Sequence, residues 1–342
     1  MVEAPRFDHL LVTGGAGFIG SCYVRDVLGR RDGTRITVLD KLTYAGNEAN
    51  LAALRNDPEL AARLTFVRGD IADPAVVGPL VASVDGVVNF AAESHVDRSI
   101  LDPEAFLATG VIGVHVLLEA CRVAERGPRF LQVSTDEVYG HVEAGHAAED
   151  APLAPRSPYA AAKLSGELYT LSYARAGLIE GVALRYFNVF GPRQDPNGPY
   201  AAVVPALFRA SVTAQPMGIF GDGLQTRDFT FIDNVLLANV LAATQLAERA
   251  SGWVVNVGAG TRTSLLELVD LVGEVTGRPI EITHRPPRGG DVRDSLASLE
   301  RARAILGYEP PVSLKEGLAR LWEWLREHPE AIEAPATTAA SR

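Results

Sequence analysis

A glycine-rich turn near the N-terminus limits the folds open to this chain more than any other feature of its sequence. An apolar run of strand length, His9–Val12, leads directly into Thr13–Gly20, which reads TGGAGFIG, and helix-favouring residues follow. The stretch satisfies G-x-G-x-x-G and also, through Gly14, Gly17 and Gly20, the variant G-x-x-G-x-x-G. Glycines at this spacing permit a tight turn and let the helix pack close to the sheet. We therefore expect a strand–turn–helix unit at the start of an α/β domain.

Apolar runs of strand length then alternate with helix-length segments through the first half of the chain. Strands that alternate with helices form βαβ units, which assemble into a parallel sheet with helices on both faces. The right-handed crossover rule restricts this α/β pattern to a doubly wound parallel sheet of the Rossmann type. The predicted strands are His9–Val12, Ile36–Leu39, Leu64–Val67, Gly86–Phe90, Phe130–Val133, Gly181–Arg185 and Trp253–Val257.

The second half of the chain has a mixed pattern, with glycine, proline and arginine concentrated in loops. We expect residues 1–180 to form the Rossmann domain, completed by a strand that returns from within 229–260. Residues 181–330 are predicted to form mainly a smaller, interleaved C-terminal lobe for the substrate. The last residues, 334–342, read APATTAASR and are predicted to be a disordered tail.

Two long helices bracket the middle of the chain. Apolar residues recur at helical spacing over Pro103–Glu125, and a second helix is predicted from Pro158 to about Ala176. Proline suits the first position of a helix because its fixed φ is already helical and its missing N–H is not needed there. Ser157, which precedes Pro158, is the expected N-cap.

Composition and charge exclude several classes of function. The chain has 342 residues, 47% of them hydrophobic, and a net charge of −10 without any run of Lys or Arg. We therefore expect neither nucleic acid nor an anionic membrane surface as a partner. Cys22 and Cys121 do not suffice for a disulfide framework, and no Cys/His cluster has the spacing of a metal site. No stretch approaches 18 uninterrupted apolar residues and the N-terminus has no signal-peptide core, so a cytoplasmic protein is expected.

The glycine-rich turn predicts a dinucleotide site, because a helix N-terminus directs N–H groups and a positive dipole at a pyrophosphate. Asp40 ends the next strand about 20 residues on, where a carboxylate accepts hydrogen bonds from ribose hydroxyls and repels a 2′-phosphate. This favours NAD over NADP, although Lys41 beside Asp40 softens the preference. Asp70 and Ile71, which end the third strand, are predicted to border the adenine. The turn itself contributes Gly14, Gly17, Phe18, Ile19 and Gly20 to the predicted cofactor site.

Tyr159 and Lys163 lie four residues apart at the start of the second long helix, so both side chains lie on one face. A lysine ammonium close to a phenol stabilises the phenolate and lowers the pKa of the tyrosine from about 10 towards that of a general base. Taken alone, the pair is most simply an ordinary feature of a helix surface. Downstream of a dinucleotide motif, it predicts a catalytic base that also contacts the cofactor.

Thr135, Asp136 and Glu137 lie at the carboxyl end of the fourth or fifth parallel strand, where ligands of doubly wound sheets bind. Two adjacent carboxylates are costly at this position unless solvent reaches them or a ligand uses them. A solvated loop is the simpler interpretation. The functional interpretation is an acid–base pair whose surroundings separate the two pKa values.

The glycine motif together with Tyr159-x-x-x-Lys163 resembles the extended short-chain dehydrogenase/reductases. Within that group, three stretches are similar to dTDP-glucose 4,6-dehydratases: DKLTYAGN at 40–47, AAESHVDRSI at 91–100 and STDEVYG at 134–140. The resemblance covers nearly the whole chain at the level of the superfamily and is specific to the dehydratases up to about residue 165. It implies NAD as the cofactor. It also adds two cofactor contacts, Ala91 and Ala92.

The resemblance to dehydratases implies a reaction on a nucleotide-linked sugar, from dTDP-glucose to dTDP-4-keto-6-deoxyglucose. Tyr159 removes the C4 hydroxyl proton while hydride passes from C4 to NAD, and Thr135 bonds to the C4 oxygen. The new ketone acidifies the C5 proton, which Glu137 removes, and Asp136 protonates the departing C6 hydroxyl. Hydride then returns to C6, and C5 is reprotonated. Without an acid and a base at C6 and C5, the same site would act as a 4-epimerase, so the carboxyl pair distinguishes the two reactions.

The second half of the chain resembles UDP-N-acetylhexosamine 4-epimerases more than dehydratases, through RYFNVFGP at 185–192 and GDGLQTRDF at 221–229. The nucleotide base, thymine or uracil, therefore stays open, and a UDP-hexose 4-epimerase is the alternative function. Arginine suits a diphosphate because its planar fork binds two phosphate oxygens. The residues that match diphosphate-binding or sugar-binding positions are His95, Asn188, Arg227 and Arg288.

Two other interpretations concern activity and assembly. A third candidate is a non-catalytic, NAD-bound scaffold or sensor, which the presence of Tyr159, Lys163 and Glu137 disfavours.

The two long helices commonly pair across a two-fold axis in this superfamily, so the resemblance also implies a homodimer.

Overall fold

The computed structural model describes residues 7–141, 145–195, 202–245, 249–286 and 292–333. The predicted tail 334–342 and the predicted substrate residue Arg288 lie outside these ranges. In the described part of the chain, the two larger apolar clusters cover opposite faces of a central sheet. Leu10 enters one cluster and Leu11 the other, because successive side chains of a strand point to opposite faces.

The central sheet is built from β1 His9–Thr13, β2 Arg35–Asp40, β3 Leu64–Arg68, β4 Gly86–Asn89, β5 Arg129–Thr135, β6 Gly181–Tyr186 and β11 Val254–Val257. Among the described residues these seven strands are ordered β11-β6-β5-β4-β1-β2-β3, and every neighbouring pair is parallel. All seven predicted strands are present, with ends that differ by at most two residues. The prediction of a doubly wound parallel sheet is confirmed.

Strand order reverses at β1. From β1 the chain runs through β2 and β3 on one side, and it then crosses back to β4 on the other side of β1. Thr13, the last residue of β1, pairs with Leu39 of β2 and with Asn89 of β4. The Thr13 hydroxyl donates to Asn89 Oδ1 at 2.5 Å, and Asn89 Nδ2 donates to Gln132 Oε1 of β5 at 2.8 Å. These buried bonds hold the carboxyl ends of three strands together, at the point where such sheets bind ligands.

Helices cover both faces of the sheet. Ser157 caps the N-terminus of the helix that begins at Pro158, since its hydroxyl accepts the Ala160 N–H at 3.1 Å, as predicted. The helices are α1 Phe18–Gly29, α2 Ala52–Asn56, α3 Pro58–Ala61, α4 Pro74–Ala82, α5 Val96–Leu101, α6 Pro103–Leu107, α7 Val114–Val123, α8 Pro158–Arg175, α9 Val203–Thr213, α10 Ile232–Gln245, α11 Leu265–Thr276, α12 Leu314–Glu327 and α13 Glu330–Glu333.

The first long helix is not regular along its length, contrary to the prediction of one α-helix over Pro103–Glu125. A π-helical segment, Ala108–Gly113, separates α6 from α7, and the helix ends at Val123. Two glycines explain the local geometry: a Cβ on Gly110 would lie 2.9 Å from Ala162 Cβ, and one on Gly113 would lie 2.5 Å from Ile71 Cγ1. Close packing on both sides therefore accompanies the wider turn.

This same helix, Pro103–Val123, is long and apolar enough to cross a membrane by length and composition alone, and among the described residues it is the one helix that passes that test. Its most apolar window is 39% buried inside the molecule. The helix packs against α4 and α8, as a core helix of a folded domain does.

The second half of the chain adds short strands outside the central sheet. In its described part, β7 pairs with β10 and β8 with β13 in parallel, while β9 pairs with β12 antiparallel. Of these strands, β9 contributes Arg227 to the lining of the cleft described below. Their bounds are β7 Val189–Phe190, β8 Met217–Phe220, β9 Thr226–Arg227, β10 Thr230–Phe231, β12 Thr263–Ser264 and β13 Ile282–Arg285.

Candidate active site

The glycine-rich turn packs so closely that side chains at two of its glycine positions would collide with neighbouring backbone atoms. Gly14 has a φ of +67°, and a Cβ there would lie 2.7 Å from the Ala91 nitrogen. Gly17 caps α1 without a side chain, and the first turn of the helix has no acidic residue, so Phe18 and Ile19 begin an uncapped helix. A Cβ on Gly20 would lie 2.9 Å from Gly15 Cα. The open, positively polarised helix terminus fits a dinucleotide pyrophosphate.

Asp40, at the end of β2, organises the neighbouring loops. Its Oδ2 accepts the Ala16 N–H at 2.9 Å and its Oδ1 accepts the Leu42 N–H at 2.8 Å. A Cβ on Gly46 would lie 2.7 Å from Oδ1, so the following loop also approaches this carboxylate closely. Two backbone bonds leave lone pairs for further donors, which is what the predicted contact with ribose hydroxyls requires.

The predicted adenine border contains an ion pair and a buried side chain. Lys41 Nζ lies 2.6 Å from Asp70 Oδ2, and Asp70 Oδ1 accepts the Ala72 N–H at 2.9 Å. Ile71 is buried against Gly113 in the core, so its side chain is directed away from solvent. Ala92 lies beside Ala91 just beyond β4, and both are half-buried.

Lys163 and Tyr159 of α8 lie under the carboxyl end of β5. Lys163 Nζ donates to the Val133 carbonyl oxygen at 2.5 Å, and the side chain is only 5% exposed. Burial lowers the pKa of Lys163 to about 8, with Glu167 acting in the opposite direction. Tyr159 is hydrogen-bonded to Thr135, the last residue of β5, and its ring packs edge-on against Phe106.

The prediction of a lowered Tyr159 pKa is wrong, because this pKa is raised in the structure. Burial raises the pKa of this phenol above its usual range, and the nearby Glu137 and Asp136 carboxylates raise it further. The bond from Thr135 acts in the other direction. The Lys163 ammonium, which was predicted to stabilise the phenolate, donates to the Val133 carbonyl oxygen.

Asp136 opens a 3-10 turn, Asp136–Tyr139, immediately after β5. Its Oδ2 accepts the Ser295 hydroxyl at 2.7 Å and the Asn188 Nδ2–H at 3.4 Å, while Oδ1 accepts the Thr135 hydroxyl at 3.3 Å. Burial raises the pKa of Asp136, although the Ser295 bond and the charge of Arg227 lower it. A carboxyl group whose neutral form is favoured is suited to act as a general acid.

Glu137 lies beside Asp136 in the same turn, where its backbone N–H donates to Thr135 Oγ1 at 3.3 Å. Both carboxyl side chains line one cleft, together with Arg227 and Ser295 on the facing wall. The structure thus brings the predicted acid and base together with a predicted diphosphate arginine. The lining residues are Asp136, Glu137, Tyr139, Gly140, Ala147, Arg227, Val292, Asp294 and Ser295.

Three predicted substrate residues lie in the described part of the chain, and they occupy different positions. Asn188 has a φ of +21° and contacts Asp136, while Arg227 donates from Nη1 to the Thr226 carbonyl at 2.9 Å on the cleft wall. His95 is the N-cap residue of α5 with a φ of +75°, and its ring lies 5.9 Å from that of Tyr44. Burial lowers the pKa of His95, so its neutral form is favoured. It does not line the cleft around Asp136.

Sequence reasoning missed two features near the site. Ser295 contacts Asp136 across 159 positions of sequence, and no local pattern marks such a pairing. Tyr44 lies under the Arg98 guanidinium, 3.5 Å from its ring centroid, and its hydroxyl bonds to the backbone of Ser94 at 2.7 Å. Tyr44 belongs to the DKLTYAGN stretch, which was the available signal. Within the described ranges, no group of three or more His, Cys, Asp or Glu side chains could hold a metal ion.

Comparison with known proteins agrees with this geometry. The model of the GDP-mannose 4,6 dehydratase family matches residues 11–321. A dTDP-glucose 4,6-dehydratase of Streptomyces antibioticus is 41% identical over 327 residues, which are 94% of this chain and 93% of that protein. A dTDP-glucose 4,6-dehydratase of Streptomyces venezuelae, solved with NAD bound, superimposes with a TM-score of 0.84 at 36% identity, over 93% of this chain and 97% of the other.

Epimerases are similar to this chain as well. A UDP-glucose 4-epimerase of Thermotoga maritima, solved with UDP-glucose, gives a TM-score of 0.85 at 35% identity, over 94% of this chain and all of the other. The fold is therefore common to both activities, and the residues of the cleft must distinguish them. Because the family match extends over most of the sequence, the chain belongs to the GDP-mannose 4,6 dehydratase family.

Proposed function

We propose that this chain is an NAD-dependent nucleotide-sugar 4,6-dehydratase that converts dTDP-glucose to dTDP-4-keto-6-deoxyglucose. The observation that carries the proposal is the placement of Asp136 and Glu137 side by side in one cleft, with Tyr159 linked to Asp136 through Thr135. A C4 oxidation requires only the tyrosine and the cofactor. Loss of water across C5 and C6 also requires an acid and a base, and we assign these roles to the two carboxyl groups that line this cleft.

The cofactor site is the cradle formed by Gly14, Gly17 and Gly20 at the N-terminus of α1, with Asp40 at the ribose. NAD held there would supply the hydride acceptor for C4 and the hydride donor for C6. Tyr159 is assigned to accept the C4 hydroxyl proton, for which it must be in its phenolate form, and Thr135 is assigned to hold the C4 oxygen in line with it. Lys163, whose pKa is lowered to about 8 by burial, is assigned to the cofactor from the same helix face as Tyr159.

The elimination is assigned to the carboxyl pair. Glu137 takes the C5 proton once the C4 ketone has made it acidic, and the electrons of that C–H bond form the C5–C6 double bond. Asp136 gives its proton to the C6 oxygen, so the C6–O bond breaks and water leaves. Arg227, which lines the cleft, and Asn188, which contacts Asp136, are assigned to the diphosphate and the sugar. We also propose that residues 1–180 bind the cofactor and that residues 181–330 mainly bind the substrate.

A UDP-hexose 4-epimerase is the second candidate. The specific observation in its favour is the epimerase-like wall around Asn188 and Arg227, together with the structural similarity to a UDP-glucose 4-epimerase. An epimerase returns hydride to C4 and does not release water. It has no use for an acid and a base at C6 and C5, which is why we prefer the dehydratase.

We also propose a homodimer that works in the cytoplasm. Large apolar side chains are exposed on the first long helix and on α8, among them Leu107, Ile112, Leu168 and Tyr169. Contiguous apolar surface on two neighbouring helices is typical of a protein–protein interface. A second copy of the chain with the same helices would bury these side chains across a two-fold axis.

The test of the proposed function is incubation of the purified protein with dTDP-glucose, UDP-glucose and UDP-N-acetylglucosamine, each followed by mass spectrometry. Loss of one water from a substrate supports the dehydratase and identifies the nucleotide. A new C4 epimer of unchanged mass supports the epimerase instead. Glu137→Gln sharpens the comparison, because it abolishes water loss in a dehydratase and leaves an epimerase largely active. Glu125→Gln on the exposed surface is the control.

A further inference from the structure

The Asp136 carboxyl group has one contact that is much shorter than the others. Its bonds to Thr135 and Asn188 measure 3.3 and 3.4 Å, at the long end of the hydrogen-bond range. The bond from the Ser295 hydroxyl to Oδ2 measures 2.7 Å, the usual length for an O–H···O bond. Ser295 is therefore the residue that chiefly fixes the direction of the Asp136 carboxyl group.

Ser295 is itself held firmly. Its backbone N–H donates to the Thr226 carbonyl at 3.2 Å, and the preceding Asp294 accepts the Thr226 hydroxyl at 2.5 Å. The next residue, Leu296, accepts the Ala147 N–H at 2.7 Å through its carbonyl oxygen. The segment is thus bonded on both sides of Ser295, which is only 9% exposed. A hydroxyl in such a position has little freedom to leave Asp136.

A hydroxyl group can form a hydrogen bond to a carboxylic acid both before and after the acid gives up its proton. A serine can accept the proton of the neutral carboxyl group, and by rotation it can donate to the carboxylate. Hydrogen bonds to an ionised group are roughly twice as strong as neutral ones. The bond therefore strengthens as negative charge develops on Asp136, which is the condition for it to lower a barrier.

We propose that Ser295 is a positioning residue for water loss: it orients Asp136 and stabilises the carboxylate that remains when the proton has passed to the C6 oxygen. In that step the Asp136 O–H bond and the C6–O bond break, and the water that forms leaves. This inference deepens the proposed dehydratase function and rests on it. It assigns to Ser295 an effect on the elimination and none on the oxidation at C4.

The same contact predicts a shift in pH dependence with a definite sign. The charged or titratable groups that face Asp136 come from several elements: Glu137 in its own turn, Tyr159 of α8, Arg227 of β9, Asp228 beyond it and Asp294 in the Ser295 segment. Donation from Ser295 lowers the pKa of Asp136. Without it, Asp136 stays protonated to higher pH, so the alkaline limb of the water-loss profile moves upwards.

The test compares Ser295→Ala with Ser83→Ala. The exposed Ser83 hydroxyl donates to the Leu80 carbonyl at 2.8 Å at the other end of the sheet, so the control loses a bond of similar length. Single-turnover absorbance of reduced nicotinamide reports the C4 oxidation, and mass spectrometry reports water loss across a pH series. We expect Ser295→Ala to slow water loss roughly 10- to 100-fold, to shift its alkaline limb upwards and to leave the oxidation unchanged. Ser295→Thr, which keeps the hydroxyl, should restore most of the rate.

Two results would overturn the inference. If Ser295→Ala matches Ser83→Ala in both rate and pH profile, or slows the oxidation as much as the water loss, Ser295 has no specific role in the elimination. If the unmodified protein releases no water from any of the nucleotide sugars, the proposed function fails and the inference with it. The unmodified protein therefore separates the two failures in the same experiment.

Discussion

Arg185 of β6 and Glu167 of α8 form a buried ion pair directly behind the candidate site. Arg185 Nη2 lies 2.5 Å from Glu167 Oε1, with side chains that are 2% and 0% exposed. The Ser134 hydroxyl also donates to Glu167 at 2.6 Å, and the Arg185 guanidinium lies over the Tyr139 ring at 4.6 Å. The pair thus joins α8, which bears Tyr159 and Lys163, to the strand end that bears the carboxyl groups.

The first prediction concerns this pair. Glu167→Gln should reduce the free energy of unfolding by about 3–5 kcal/mol, because it leaves a buried guanidinium without its counter-charge. Glu180→Gln is the control: Glu180 pairs with Arg129 at 3.1 Å on the surface, and its loss should cost about 0–1 kcal/mol. Urea unfolding measures both. Equal effects of the two substitutions would show that the buried pair does not stabilise the fold.

The second prediction tests the glycine cradle. A Cβ at position 20 would lie 2.9 Å from Gly15 Cα and 3.0 Å from the Gly14 carbonyl carbon, so Gly20→Ala must displace the turn. We expect a loss of about 1–3 kcal/mol in the free energy of unfolding and weaker NAD binding by calorimetry. Gly29→Ala in the same helix meets no atom within 4 Å and should leave NAD affinity unchanged. Unaltered NAD binding by Gly20→Ala would contradict this assignment of the cofactor site.

The third prediction follows from the burial of Lys163, whose pKa falls to about 8. Between about pH 8 and the unfolded value near 10.5, the unfolded chain binds a proton here that the folded chain does not. Stability from this group therefore rises with pH across that window and is lowest below it. Lys163→Met should remove this dependence, which amounts to on the order of 3 kcal/mol. Thermal unfolding from pH 7.5 to 10 measures it, with the exposed Lys315→Met as control. Parallel curves for the unmodified protein and Lys163→Met would refute the prediction.

The fourth prediction concerns assembly. The unmodified protein should have the mass of a dimer in light scattering at micromolar concentration. Ile112→Glu places a charge within the exposed apolar surface of the two long helices and should give a monomer. Leu224→Glu, at an exposed apolar position of the second half of the chain, should remain a dimer. A monomeric unmodified protein, or loss of the dimer in Leu224→Glu alone, would remove the proposed interface.

The strands could be predicted almost to the residue because parallel strands buried on both faces are continuous apolar runs. Motif spacing predicts that Asp136 and Glu137 share one strand end and that Tyr159 and Lys163 share one helix face, because neighbours in sequence lie close together in such elements. The π-helical segment Ala108–Gly113 could not be predicted in this way, because it accompanies close contacts of two glycines with α8 and with Ile71.

Contacts between residues far apart in the sequence, and their effects on pKa values, could not be predicted either. The contact between Ser295 and Asp136 depends on how the second half of the chain folds back over the sheet. The raised pKa of Tyr159 depends on its burial and on two carboxylates that approach it in space. Both are properties of the tertiary structure, and no local pattern carries them.

Incubation with dTDP-glucose labelled with deuterium at C4 distinguishes a dehydratase from an epimerase most directly. We expect a product that has lost one water and carries the deuterium in its C6 methyl group, because the hydride taken from C4 is returned to C6. Nuclear magnetic resonance of the product locates the label. A C4 epimer of unchanged mass with the deuterium still at C4 would contradict the dehydratase and support the epimerase in its place.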